Sequence, residues 1–301
     1  MGRRILSLLL ALTAGVGLAA CGQTPSPAEG QEAAAPEAQN SALLIAYAPE
    51  TEGDPVAQAA TLLAETLGGD VVEMGQEGDL TPSDYEFVLL GFAAADNALP
   101  AAVETFLDSC LANLRPGMDP REVQAVAEFA AAAANSVIYQ RSLEDPGLRG
   151  MGTTLVSAIA WEDQALLSNV GDSRAYLIHP DSALESAGMR RVTKDHSLVE
   201  HLVDIGNITE EEARVHPDRN LITRALGPEA ETRSDSYLVR LHPGDCILLC
   251  TDGLTETATD QEIEQEILFR EDKNGCLDRL LALAMRRGAA DNVTAVLLQQ
   301  Q

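Results

Sequence analysis

Three aspartates sit where a run of strand-forming residues meets a tight turn. Leu166-Leu167-Ser168-Asn169-Val170 leads through Gly171 to Asp172. Cys246-Ile247-Leu248-Leu249-Cys250 leads through Thr251 to Asp252 and Gly253. Asp291 instead precedes a strand-forming run, Val293-Thr294-Ala295-Val296-Leu297-Leu298. Carboxylates at strand ends can converge on one rim of a β-sandwich, where hard cations such as Mg²⁺ or Mn²⁺ take oxygen ligands. Any one Asp-Gly or Gly-Asp step taken alone is an ordinary turn.

Taken in order the motifs are far more specific. Gly150-Met151-Gly152-Thr153-Thr154 is followed by Gly171-Asp172-Ser173-Arg174-Ala175-Tyr176 and Thr193-Lys194-Asp195-His196-Ser197. Then come Asn220-Leu221-Ile222-Thr223-Arg224-Ala225-Leu226-Gly227, Asp252-Gly253-Leu254-Thr255 and Asp291-Asn292-Val293-Thr294. Over about 119–299 this series closely resembles the metal-dependent Ser/Thr protein phosphatase family (PPM, type 2C). The resemblance implies an α+β fold, a β-sandwich flanked by helices, and hydrolysis of phosphoserine or phosphothreonine in a protein substrate. It implies that Asp252 and Asp291 bind the catalytic Mn²⁺ or Mg²⁺, and that Asp172 contributes to a third, weaker metal site.

The departures matter as much. The family begins with an Arg-rich segment ending in Asn-Glu-Asp and an Asp-Gly-Met-Gly-Gly segment whose Asp bridges two metals. Neither is present, and the one Asp-Gly pair in the chain is Asp252-Gly253. The expected domain therefore lacks its N-terminal strands, the bridging ligand and the Arg that clamps phosphate. Impaired activity follows. Substitute ligands, if any, would come from Asp79, Asp84, Asp96 or Asp108. A non-catalytic domain that binds a phosphoprotein or a divalent ion is the competing expectation.

The elements that must position these residues follow from periodicity. Asp119-Pro120-Arg121-Glu122 is a helix start, with Asp as N-cap and Pro in the first turn. The helix is predicted to run to near Arg141, with Val123, Val126, Ala130, Ala133 and Val137 inward. Thr153–Trp161 and Ala165–Val170 should pair as a hairpin, with 174–179 as a third strand. Ser197–Asp204 and Glu210–Arg214 read as short helices, and Leu277–Arg287 as a helix leading to Asp291.

Upstream the chain changes character. Ala42–Tyr47, Val71–Met74 and Phe87–Gly91 read as strands, and Val56–Leu67 and Ala101–Leu111 as helices, the order of a parallel α/β unit. Over about 43–111 this resembles the first half of a flavodoxin-like domain. Its phosphate loop would carry Glu50, Glu52 and Asp54 with Pro49 and Pro55, which repel a phosphate and remove N–H donors. FMN is therefore not expected, and a flavin-binding lipoprotein is the least favoured reading. The partial unit, 41–112, meets the phosphatase-like unit, 119–299, without a linker.

Residues 1–20 read as a lipoprotein signal peptide: Arg3-Arg4, an apolar stretch from Ile5 to Leu18, then Leu18-Ala19-Ala20-Cys21. The last phrase is similar to a bacterial lipobox, implying a lipid on Cys21 and a protein anchored to the outer face of the cell membrane. Residues 21–40, rich in Pro, Ala, Glu and Gln, form a disordered tether.

Composition agrees with a folded, acidic body. The apolar fraction is 46% over 301 residues, and the net charge of −27 argues against nucleic acid as a partner. Cys246 and Cys250 would sit ~13 Å apart on one face of a strand, too far to bridge. They are expected as core thiols.

Overall fold

The computed structural model describes residues 6–13, 43–48, 70–73, 87–92, 99–115, 117–180, 188–269, 275–289 and 291–299. Two four-stranded antiparallel sheets are stacked between helices. The first has the order β1 (Leu6–Thr13), β5 (Thr154–Trp161), β6 (Gln164–Val170) and β9 (Asp235–Arg240). The second has the order β11 (Ala295–Gln299), β10 (Cys246–Cys250), β7 (Arg174–His179) and β8 (Gly188–Arg191). The type 2C-like sandwich anticipated from the motifs is the fold observed.

Strand alternation builds three apolar layers. On β5, Leu155 and Ile159 face outward to the helices, while Val156 and Ala158 face the second sheet. On β10, Ile247 and Leu249 fill the space between the sheets, and Cys246, Leu248 and Cys250 face the far helices. Both strands are buried on both faces, which is why they read as continuous apolar runs. All four cysteines of the described residues are buried thiols outside any disulfide. Burial pushes the Cys110 and Cys250 thiols up to about 12.

Two helices cover the first sheet: α1 (Leu99–Asn113) and α2 (Pro120–Glu144). Asp119 caps α2 as expected, accepting from the Arg121 and Glu122 N–H groups while Glu122 returns a bond to the Asp119 N–H. The inward face differs from the expected one. Val123, Val126, Ala127, Ala130, Ala131, Ala134, Asn135 and Ile138 are buried, whereas Ala133 and Val137 are half-buried. Two neighbours explain the wider stripe, since α2 packs on the sheet and also on α1. Phe106, Leu107 and Cys110 of α1 join the same core as Leu155, Ile159 and Leu166. The core thus runs without a break across the junction between the two units distinguished in the sequence.

The second sheet is covered by α5 (Asp252–Thr257), α6 (Asp260–Leu268) and α7 (Cys276–Arg286). The two short helices read from the sequence are present as α3 (Leu198–Asp204) and α4 (Glu210–Arg214), capped by Ser197 and Thr209. The last strand begins at Ala295, two residues later than predicted, because Thr294 is drawn into a side-chain bond with Thr251.

Upstream, β2 (Leu43–Ala48), β3 (Asp70–Glu73) and β4 (Phe87–Phe92) form a separate parallel sheet in the order β3-β2-β4. The helix expected over 56–67, the acidic loop at 50–54, the tether, Cys21, Asp79, Asp84 and Asp96 lie outside the described residues. The apolar leader, read in the sequence as a processing segment without structure, contributes β1. It pairs antiparallel with all eight residues of β5, from Leu6↔Trp161 to Thr13↔Thr154. An unpaired β5 edge beside a strand-capable apolar run accounts for that pairing. No helix among the described residues is long and apolar enough to cross a membrane.

Asn135 ties α2 to the loop that leads into β9. Its side-chain N–H groups donate to the Glu229 and Ala230 carbonyls at 3.0 and 3.2 Å, and its oxygen accepts from Gly227 N–H at 2.7 Å. Asn135→Ala leaves these buried groups without partners. It is expected to cost about 2–4 kcal/mol, measured as a lower urea midpoint at unchanged slope.

Candidate metal site

Antiparallel pairing brings the acid-bearing turns to one end of the second sheet. Cys250 faces Arg174 on one side and Ala295 on the other. Asp172 lies two residues before Arg174, Asp252 two after Cys250, and Asp291 four before Ala295. The rim opens on a cleft of about 690 Å³ whose lining includes Asp172, Asp252, Glu256, Arg174, Arg191 and Arg219.

Close packing fixes each turn. Gly171 has φ +107, and a Cβ there would lie 2.3 Å from Thr154 Cγ2, so only glycine lets the Asp172 turn sit on β5. At Gly253 a Cβ would meet the Asn292 carbonyl oxygen at 2.4 Å, which sets the Asp252 turn against the Asp291 turn. Thr251, 1% exposed, fastens the same two turns. Its hydroxyl donates to Asn292 O at 3.1 Å and accepts from Thr294 N–H at 3.1 Å, while its N–H donates to Thr294 O at 3.0 Å.

Behind Asp172 stands a polar network whose roles were not assigned from the sequence. His196 Nδ1 accepts from Gly171 N–H at 3.0 Å, and the His196 N–H donates to Gly171 O at 2.9 Å. With Nδ1 accepting, Nε2 carries the proton and donates to Asp235 at 3.1 Å. Burial lowers the His196 pKa and keeps the ring neutral. Burial alone would raise Asp235, but bonds from Arg224 and His196 hold its carboxyl below the usual range. Asp195 takes Arg174 in a two-pronged pair at 2.7–3.0 Å. Thr193 accepts from Ala175 N–H at 2.8 Å, and Ser197 caps α3. The Thr-Lys-Asp-His-Ser motif therefore supports the Asp172 turn. Its local signal was the motif itself; its partners lie up to 43 residues away.

The electrostatics single out two carboxyls. Burial, then repulsion from Asp195, pushes Asp172 up to about 6. Burial, then repulsion from Asp172, Asp291 and Glu256, pushes Asp252 up to about 7. Asp291 is exposed, and its Oδ1 accepts from the Asn292 N–H at 2.7 Å. Such groups, with acids as the main charges around Asp252, suit one hard, oxygen-preferring cation. They do not close into a cage. Among the described residues, the one group of three ligands whose atoms all lie within 4.8 Å of one another is elsewhere. Asp108, raised as a substitute ligand, is exposed on α1, away from the rim elements.

The sign of the pH effect follows. Asp172 and Asp252 hold protons more tightly folded than unfolded. Their stabilising contribution is full below pH 3.8 and is lost as pH rises through about 6 and 7. Asp252→Asn is therefore expected to raise the Tm of metal-free protein at pH 8 and to leave it unchanged at pH 3.5. Thermal unfolding in the presence of chelator checks both values.

Comparison with known proteins agrees with this geometry. The protein phosphatase 2C family model matches residues 101–215, and that of Stage II sporulation protein E matches residues 206–301. The chain is similar to the serine/threonine phosphatase stp of Listeria innocua, 39% identical over 164 residues, which are 54% of this chain and 62% of that one. It thus spans about 62% of that relative's length. Among solved structures it is similar to serine/threonine phosphatase Stp1 from Staphylococcus aureus, with TM-score 0.59, 32% identity, and coverage of 67% of this chain and 78% of that chain. It is also similar to the catalytic domain of the serine threonine protein phosphatase PstP in complex with 2 manganese ions, with TM-score 0.54, 33% identity, and coverage of 65% and 79%. Sharing 32% identity with a solved phosphatase of which it covers 78%, this chain belongs to the protein phosphatase 2C family.

Proposed function

We propose that the protein is a metal-dependent phosphomonoesterase acting on phosphoserine and phosphothreonine in proteins, with turnover held low by an incomplete ligand set. The observation that carries this reading is the rim itself, where Asp172 and Asp252 are pushed up to about 6 and 7 beside Asp291. Asp252 and Asp291 hold the cation and Asp172 takes a looser share. A Mn²⁺ or Mg²⁺ ion there would supply a water of lowered pKa and counter-charge for phosphoryl oxygens.

Two features support low turnover. A second ion about 3.5–4 Å from the first requires a bridging carboxylate, and the Asp-Gly-Met-Gly-Gly segment that would carry it has no counterpart in the sequence. The arginines of the cleft are already engaged: Arg174 by Asp195, Arg191 by Glu200 at 2.6 Å, and Arg219 by Glu256 at 3.6 Å. Arg214 donates to the Thr255 carbonyl at 3.1 Å. A phosphate would have to share these guanidinium groups with their present partners. Mn²⁺ titration by calorimetry, with a phosphopeptide assay on the parent and on Asp252→Asn, tests the reading. Weak binding and slow hydrolysis, both lost in Asp252→Asn, are expected. Fast turnover would refute the impairment, and absence of binding would refute the metal site.

We also propose that the protein is carried to the outer face of the cell membrane by a lipid on Cys21, with a flavodoxin-like partial unit between anchor and phosphatase unit. The support is the Leu18-Ala19-Ala20-Cys21 phrase for the first and the parallel β3-β2-β4 order for the second. Mass spectrometry of protein from the membrane fraction is expected to find Cys21 as the first residue, with acyl chains attached. A soluble form starting elsewhere would sink the anchor.

A further inference from the structure

The opposite end of the second sheet carries a second cluster of ligand-bearing side chains. His179 ends β7, Asp245 precedes β10, and His242 lies in the connection from β9. With six residues in β7 at ~3.3 Å each, this cluster is on the order of 20 Å from the carboxylate rim. The two imidazoles and the carboxylate each offer an atom, and these atoms all lie within 4.8 Å of one another. His242 Nδ1 is 3.2 Å from Asp245 Oδ2, and the rings meet edge-on with centroids 5.7 Å apart.

The condition of His179 and Asp245 is what points to a ligand. Asp245 is 2% exposed and His179 is 4% exposed. His179 Nδ1 lies 2.8 Å from Asp245 Oδ1, yet it makes no hydrogen bond. At that distance the fault lies in direction: the oxygen is not where a ring N–H would place its proton. A buried imidazole nitrogen without a hydrogen bond is costly. A cation shared by the nitrogen and the carboxylate removes that cost. The Asp245 carboxylate is already oriented, because its Oδ2 accepts from the His242 N–H at 2.7 Å and the Asp245 N–H donates back to His242 O at 3.0 Å.

We infer that His179 Nδ1, His242 Nδ1 and the Asp245 carboxylate form a binding site for a transition-metal ion of the zinc class. Two imidazoles and one carboxylate suit Zn²⁺, whereas Mg²⁺ and Ca²⁺ prefer oxygen alone. Zn–N and Zn–O distances of about 2.0–2.2 Å require tetrahedral ligands roughly 3.3–3.6 Å apart. The observed separations reach that spacing by small side-chain adjustments. The ion leaves a fourth position for water and pins the end of β7 to the turn before β10. This site is independent of the phosphatase reading.

The test uses full-length protein with Asp172→Asn, Asp252→Asn and Asp291→Asn, which silence the carboxylate rim. Calorimetry with Zn²⁺ is expected to show one equivalent bound, and Co²⁺ to give the visible bands of a tetrahedral site. Adding His242→Gln, at a half-exposed position, is expected to weaken binding about tenfold or more and to abolish the Co²⁺ bands, with circular dichroism unchanged. In the otherwise native protein the same substitution leaves phosphatase turnover as it was. Absence of Zn²⁺ uptake, uptake indifferent to His242→Gln, or Co²⁺ bands of octahedral type would each overturn the inference.

Discussion

The rim of the second sheet is assembled against its own electrostatics. Asp172 and Asp252 are drawn out of water together, and Asp252 feels Asp291 and Glu256 as well. Water would screen such charges, but burial denies them that relief. The scaffold must therefore hold the turns in place without help from the carboxylates. It does so through neutral groups: the Thr251 hydroxyl between two turns, the His196 ring behind Gly171, and the Thr154–Ser173 hydroxyl contact at 2.9 Å. The charged partners stand one layer back, with Arg174 on Asp195 and Arg224 on Asp235. The turns that carry the acids are thus fixed by the scaffold itself, as preorganised sites require.

Much of this was legible in the sequence because local rules agree with the fold. The Asp119–Glu122 capping box, the doubly buried run at 246–250 and the glycine turns all signal through neighbours in the chain. What escaped depends on distant residues. The inward stripe of α2 is wider than its heptad-like spacing suggests because α1 covers it from the side. The α1 residues Phe106 and Leu107 looked like part of an upstream α/β unit, yet they complete the core under β5 and β6. Asp235 and Asn135 gave no local signal, since each is defined by partners up to 39 and 95 residues away. The late start of β11 follows from one hydroxyl, Thr251, that periodicity does not register.

Strand β7 links two chemically distinct ends. Its first residues follow a turn of hard oxygen donors, and its last residue is an imidazole facing a carboxylate. Between them Tyr176 and Ile178 are wholly buried, so the strand has little freedom to slide against β10. Arg174 reaches the Tyr176 hydroxyl at 3.4 Å, and that hydroxyl donates to Asp260 at 3.1 Å, tying the strand to α6. The two ends are thus held at a fixed separation by packing, by pairing with β10 and by these side-chain bonds.

The pairing of β1 with β5 also bears on how the chain is made. A stretch engaged along its whole length in an antiparallel ladder has its backbone N–H and C=O groups committed to that ladder. The same stretch cannot at that moment be drawn through a translocation channel or presented to a peptidase, which requires an extended, unpaired backbone. Sheet closure would therefore compete with the proposed export, the outcome decided by which comes first during synthesis. Without β1, β5 would turn from an interior strand into an edge, with eight residues of open backbone able to seize a strand from another molecule.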